Sequence, residues 1–385
     1  MKKIMFAPDS FKGTMSSQRV CDIMEKAVKG RFPGCVTVKM PIADGGEGTV
    51  DCMLASAGGQ KVRIKVKGPF LEPVDAFYGV LPDGTAVVES AAAIGLPLVR
   101  GDLDPMRATS FGVGEIIKDA LRSGCRKVII GLGGTATNDG GAGMMQALGA
   151  EFFDASGAPF SPAGGTLINI AGMDVSALRG LVEGCEFIAM SDVDNILCGP
   201  QGASAVFGPQ KGATPENVRA LDRGLAHFAH VIKEYLGEDV LELPGSGAAG
   251  GIGASAHAFL GARLTPGIEV VLDASGFDEK VKDADLVLTG EGRLDAQSLR
   301  GKAVSGVARR AARHGVPAIA VAGDVCRGAE EIYGCGVTAM ASINRLAVPF
   351  EKARLTSEDD LAFTVDMLMR VISIGENAVR RGKDI

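Results

Sequence analysis

Several protein classes are excluded by what the 385-residue chain does not contain. Positive charge is not in excess: 40 Lys and Arg stand against 46 Asp and Glu, a net charge of −6, the opposite of a nucleic-acid-binding footprint. Histidine occurs four times, at 227, 230, 257 and 314, and the eight cysteines include no C-x-x-C pair, so free thiols are expected and zinc is not. A phosphate-binding P-loop is missing, since Gly301-Lys302 is followed by Ala303 and has no glycine five residues earlier. A nucleotide would need another cradle. There is no G-x-S-x-G elbow for a serine hydrolase. The start offers only the four apolar residues Ile4–Ala7 between two lysines and Pro8, too few for a secretory signal, so a cytoplasmic protein is expected. The longest uncharged run, Leu243–Ala262, holds six glycines, two serines and His257, which reads as a loop-rich site segment rather than a membrane span.

What is present points to a globular α/β protein. The length exceeds one ordinary core, so two domains are expected, and apolar (46%) and charged (22%) fractions are those of a soluble chain. Glycine is the outlier, 54 of 385 residues. The opening reads as a strand at Lys3–Ala7 and a helix keeping Val20, Ile23, Met24, Ala27 and Val28 on one face, then a strand at Val36–Pro41 and a helix near 50–57. The last hundred residues resume this alternation: strand Leu286–Thr289, helix about 302–314, strand Ala318–Ala322, a short helix, strand Thr338–Ser342 and a helix about 358–381. Alternating strands and helices imply a parallel sheet covered on both faces. Between them, Lys61–Lys67 alternates strictly and turn-bounded strands follow near Ala76–Leu81 and Thr85–Glu89, an antiparallel meander. The reading is a discontinuous parallel-sheet α/β domain, 1–65 and 284–385, with a mixed α/β domain, 66–283, inserted into it.

The chemistry-bearing residues cluster in loops. Two literal dinucleotide fingerprints, at Gly131 and Gly245, carry little weight in so glycine-rich a chain, although they keep a NAD-dependent oxidoreductase in view. The segment 131–143, GLGGTATNDGGAG, places Gly133, Gly134, Thr135, Thr137, Asn138 and Asp139 between a strand and a helix, the ingredients of an anion site. A polar turn with capping residues is its plainer reading. Three loops expected at strand ends supply charge: APDSFKG with Asp9, Ser10 and Lys12, ADGGEGT with Asp44 and Glu47, and TGEGRLD with Glu291, Arg293 and Asp295. Open parallel sheets bind ligands at that edge. Carboxylates suit Mg²⁺ or a general base, and Lys with Arg suits phosphate oxygens, the set that phosphoryl transfer requires. Lys211 in FGPQKGA and Asp192 and Asp194 in SDVDN are further polar turn residues, and the histidines read as packing or solvated groups.

Taken in order, APDSFKG (7–13), ADGGEGT (43–49), GGTATNDGGAGM (133–144), FGPQKGA (207–213), GAAGG (247–251) and TGEGRLD (289–295) resemble the bacterial class I glycerate kinases over the whole chain. The sequence departs from that pattern in Thr135, where serine is usual, and in Ile196, where proline is frequent, a change that bears on Asp194 as a metal ligand. The resemblance implies ATP-dependent phosphorylation of D-glycerate to 2-phosphoglycerate with Mg²⁺, and a flavodoxin-like domain inserted into a Rossmann-like one with the active site in a cleft between them. Chemistry then assigns Lys12 and Arg293 to phosphate or the substrate carboxylate. Asp44 and Asp295 compete as base and Mg²⁺ ligand, Asp192 is a third claimant, and Glu47 and Glu291 support them. The 133–139 loop, with Lys211, is expected to cradle an anion, either nucleotide or glycerate. No nucleic-acid or membrane partner is expected, and the oligomeric state is left open. A catalytically silent carboxylate- or nucleotide-binding sensor is the contrasting class.

Overall fold

The computed structural model describes residues 1–43, 45–46, 48–99, 101–295 and 303–383, with side chains described as far as residue 375. Two compact units emerge. A terminal unit comprises Met1–Ala43, Ala55–Ala57 and Ile268–Ile385; a middle unit comprises Asp44–Leu54 and Gly58–Gly267.

Numbering the strands along the chain, the terminal unit contains β1 (Lys3–Pro8), β2 (Val36–Lys39), β12 (Leu286–Leu294), β13 (Ala318–Val325) and β14 (Val337–Ser342). All pair in parallel, in the order β14-β13-β12-β1-β2. The sheet core is apolar because its central strands are buried on both faces: Ile4, Phe6, Leu286, Leu288 and Val321 join Val20 and Met24 of helix Ser17–Arg31 and Leu361, Val365 and Met369 of helix Ser357–Lys383. Ser16 starts the first of these helices, its hydroxyl accepting from the Arg19 N–H at 3.2 Å. One expectation is corrected. β12 does not stop at Thr289; it continues through Gly-Glu-Gly-Arg-Leu, because Arg293 and Leu294 still pair with Asp324 and Val325 of β13. Glu291 and Arg293 therefore lie on one face of a strand and not in a free loop.

The middle unit holds β3 (Gln60–Lys67), β4 (Pro73–Val80), β5 (Thr85–Glu89), β6 (Lys127–Gly131), β10 (Glu186–Met190) and β11 (Arg263–Thr265), in the order β11-β10-β6-β5-β4-β3. β3, β4 and β5 form the expected antiparallel meander, and the remaining pairings are parallel. A small antiparallel sheet, β8-β7-β9, is made by β7 (Glu151–Phe153), β8 (Pro159–Phe160) and β9 (Gly172–Asp174). The long helix Pro215–Leu236, started by the Thr214 hydroxyl and Pro215, buries Leu225, Phe228 and Ile232 in the core. The glycine-rich run read as a loop is instead mostly helix, Ala248–Leu260, entered through three consecutive left-handed residues, Ala249, Gly250 and Gly251. Its alanines and glycines let it lie buried except at Ala249, His257 and Ala258. No disulfide forms among the described residues, and none of their helices is long and apolar enough to cross a membrane.

Candidate active site

In the terminal unit the chemistry collects at the C-terminal ends of β1, β12 and β13. Asp9 follows β1 directly; its backbone N–H donates to the Gly290 carbonyl at 2.8 Å and its carboxylate accepts from the Ser10 N–H at 2.6 Å. Phe11 and Met15 then close a tight turn by mutual backbone hydrogen bonds, and burying both side chains leaves Lys12 exposed at the tip. On β12, Glu291 is buried, Arg293 is exposed and Asp295 is half-buried just past the strand end. The Arg293 Nε donates to Cys326 Sγ at 3.1 Å and lies 3.7 Å from Asp295 Oδ2. Beside Arg293 in register stands Asp324, whose carboxylate accepts from Asn344 Nδ2 at 2.5 Å. This edge presents cations and carboxylates together. Among the described residues no three acidic, histidine or cysteine side chains converge as a complete metal cage. Mg²⁺ does not require one, since it is commonly held by one or two carboxylates with phosphate oxygens and water, and Asp295 and Asp324 are donors of that type.

In the middle unit two glycine-rich segments meet. The Gly133 N–H donates to the Gly45 carbonyl at 3.2 Å, and a Cβ on Gly131 would lie 2.5 Å from that same oxygen, so only glycine permits the contact. Glu89, at the end of β5 and 2% exposed, accepts from the N–H groups of Val50 at 2.6 Å and Gly48 at 3.3 Å. It thereby fixes the start of helix Thr49–Ala57. Burial pushes the Glu89 carboxyl above its ordinary range. Asp44 and Glu47 lie outside the described residues.

The 133–139 segment is turned inward. Gly134 is exposed and Gly133 half-buried, whereas Thr135, Thr137, Asn138 and Asp139 are buried. The Asp139 carboxylate accepts from Ser110 N at 2.7 Å, Ser110 Oγ at 2.8 Å, Gly141 N at 3.1 Å, Gly143 N at 3.2 Å and Thr109 Oγ1 at 3.4 Å. It organises the loop and the start of helix Ala142–Leu148, and burial still raises its pKa against those donors. Lys211 is also buried: its ammonium donates to the Thr137 carbonyl at 2.6 Å and approaches Thr135 Oγ1 at 3.4 Å. Loss of water lowers its pKa to about 7, opposed by the charge of Asp139. Asn138 Nδ2 donates to Ser204 Oγ at 3.0 Å, while Thr137 Oγ1 and Asn138 Oδ1 have no hydrogen-bond partner among the described residues. Gly250 packs against this turn so closely that a Cβ would fall 2.2 Å from the Thr137 carbonyl oxygen. Asp192 is half-buried and accepts from the Gly267 N–H at 2.8 Å.

Residues 4–373 match the glycerate kinase family. The chain belongs to the glycerate kinase family. Membership makes it a kinase, hence a transferase. It is 47% identical to a glycerate kinase from Bacillus subtilis, over 91% of this chain and 92% of the other. It is 43% identical to a glycerate 2-kinase from Escherichia coli, over 97% and 98%. A crystal structure of a Salmonella typhimurium LT2 protein proposed to be glycerate kinase 2 superposes with a TM-score of 0.88 at 42% identity, covering 98% of this chain and 99% of that one.

For this family member, sequence reasoning selected Lys12, Arg293 and Asp295, which share one sheet edge with Asp9 and Glu291. It overlooked Asp324 and Asn344 at the same edge, though Gly323-Asp324 directly after the apolar run Ala318–Ala322 carries the same strand-end signal. Glu89 was also missed. Its cue was a lone carboxylate ending an otherwise apolar strand, Thr85–Glu89.

Proposed function

We propose that the chain is a cytoplasmic enzyme that transfers the γ-phosphoryl group of ATP to D-glycerate, with Mg²⁺, giving 2-phosphoglycerate. The observation that carries this reading is the juxtaposition of Lys12, Arg293, Asp295 and Asp324 at the C-terminal edge of a parallel sheet in a member of the glycerate kinase family. A hydroxyl must lose its proton as its oxygen attacks phosphorus and the bond to the bridging oxygen of ADP breaks, so a carboxylate is needed as acceptor. Asp295 and Asp44 are the candidates for that role, and whichever is not the base is available to Mg²⁺, with Asp324 and Asp192 as further oxygen donors. When bound, Mg²⁺ supplies charge neutralisation at the phosphate oxygens. Arg293 and Lys12 hold anionic oxygens: the guanidinium can grip two at once, and the exposed ammonium acts as a point charge. The exposed backbone at Gly134, next to half-buried Gly133, supports an anion-binding role for that segment, with Lys211, Asp139, Thr135, Thr137 and Asn138 shaping it from behind.

Purified protein with Mg²⁺-ATP and D-glycerate should release ADP, and enolase should consume the product directly. Absence of ADP above background would overturn the kinase reading and leave a silent sensor. Formation of 3-phosphoglycerate alone would overturn the regiochemistry. A glycerate-dependent NADH signal would favour an oxidoreductase.

A further inference from the structure

Helix Ser357–Lys383 is apolar on two opposite faces: one is buried, and the other is largely exposed, with the Arg345 guanidinium 4.7 Å from the Phe363 ring at one end. Leu361, Val365 and Met369 are fully buried in the sheet core, as a helix lying on a sheet requires. On the other side Phe363, Met367, Val371 and Ile374 follow at spacings of four, four and three residues, one continuous helical stripe. They are 53%, 43%, 62% and 69% exposed. Scattered exposed apolar side chains need no explanation, but four in register on one helix form a contiguous patch of the kind that marks an interface. We propose that this stripe is a self-association surface, and that two copies of the chain pair through it about a two-fold axis with their helices antiparallel.

The pattern along the helix is what selects a second copy as the occupant. An antiparallel pair centred between residues 368 and 369 sets Phe363 opposite the partner subunit's Ile374 and Met367 beside the partner subunit's Val371. The same operation brings Asp366, on the rim of the stripe, next to the partner subunit's Arg370, and the reverse. Within one chain these two already pair, Arg370 Nε lying 2.6 Å from Asp366 Oδ2, while Arg31 Nε holds Asp366 from the inner side at 3.1 Å. Pairing two copies thus joins apolar to apolar and acidic to basic with one surface, the self-complementarity that an isologous interface demands. A partner of different sequence would not need that symmetry.

Sedimentation equilibrium on the full chain from about 1 to 100 μM gives the test. The expected species is twice the 39.6 kDa chain mass. Val371→Glu and Ile374→Glu should each yield monomer with an unchanged far-ultraviolet circular dichroism spectrum and melting temperature, because both side chains are largely exposed in one copy. Arg370→Glu sets like charges beside Asp366 across the axis and should weaken dimerisation tenfold or more. A wild-type chain that stays monomeric throughout, or a dimer indifferent to all three substitutions, overturns the proposal; so does Arg370→Glu with an unchanged constant, which would reject the antiparallel arrangement.

Discussion

Replacing Lys211 by methionine tests whether a buried ammonium sets the pH response of the middle unit. Lys211 is 2% exposed and loses its hydration on folding, which brings its pKa to about 7, against about 10.4 for a solvated lysine. Between those two values the unfolded chain binds a proton that the folded chain does not. Stability must therefore rise with pH across that window. Each pKa unit is worth about 1.4 kcal/mol, and half-protonation near pH 7 removes part of the first unit, so the gain from pH 7 to pH 9 is about 2 kcal/mol. Methionine has a similar length and no titrating group. It strips a donor from the Thr137 carbonyl, at a cost of about 1–3 kcal/mol, but it also abolishes the proton coupling. Urea unfolding followed by circular dichroism at pH 7, 8 and 9 should show the wild-type midpoint climbing relative to that of Lys211→Met. The comparison between the two proteins cancels the other groups that titrate in this range. Parallel pH profiles would refute the buried-ammonium reasoning, and a variant that loses stability more steeply with falling pH would reverse it.

Arg293→Lys keeps the charge and loses the fork. A clamp on the transferring phosphoryl group predicts kcat lower by about 10²–10³ with KM for glycerate little changed, and a clamp on the substrate carboxylate predicts mainly a higher KM; a change within about twofold in both would remove Arg293 from the site. Asp44→Asn and Asp295→Asn should separate base from ligand. Loss of the base lowers kcat by about 10²–10⁴ at every Mg²⁺ concentration, whereas loss of a ligand raises the Mg²⁺ needed for half-maximal rate, and near-wild-type kinetics in both would reject the pair. Glu89→Ala leaves the Val50 and Gly48 N–H groups without their acceptor and should cost about 2–4 kcal/mol by denaturant titration; a loss under about 0.5 kcal/mol would show that Glu89 does not hold that helix start.

Much of the architecture could be read from the residues because hydrophobic period and strand-end glycines report local geometry directly. The meander at 60–89 and the alternating units at both ends are period-two and period-3.6 patterns of that kind. β12 was cut short because Gly290 and Gly292 punctuate it, yet sheet pairing with β13 overrides the local glycine signal. The helix at 248–260 reads as loop for a similar reason: six glycines in twenty residues suggest irregular backbone, but two of them, Gly250 and Gly251, serve the left-handed entry to the helix, and Gly250 passes close to Thr137. Charged residues exposed at strand ends are easier to select from the sequence than those that hold the frame. Nothing in the sequence tells that Asp139 spends its carboxylate on five protein donors or that Lys211 is sealed inside, since both facts depend on segments as distant as Ser110 and Thr137.

The register that joins Ile4 to Leu286 has a consequence for the order in which the molecule is made. β12 is the central strand of the terminal sheet, so β1, synthesised first together with its other neighbour β2, waits for more than 240 further residues before β12 exists. The middle unit, continuous from Gly58 to Gly267 apart from one early segment, is complete well before that point. It should fold on the ribosome while the N-terminal strands remain a two-stranded ribbon, too small to be stable alone and with an open edge at β1. A nascent chain halted near residue 270 would carry a finished unit beside an exposed strand edge, the species from which aggregation during expression would start.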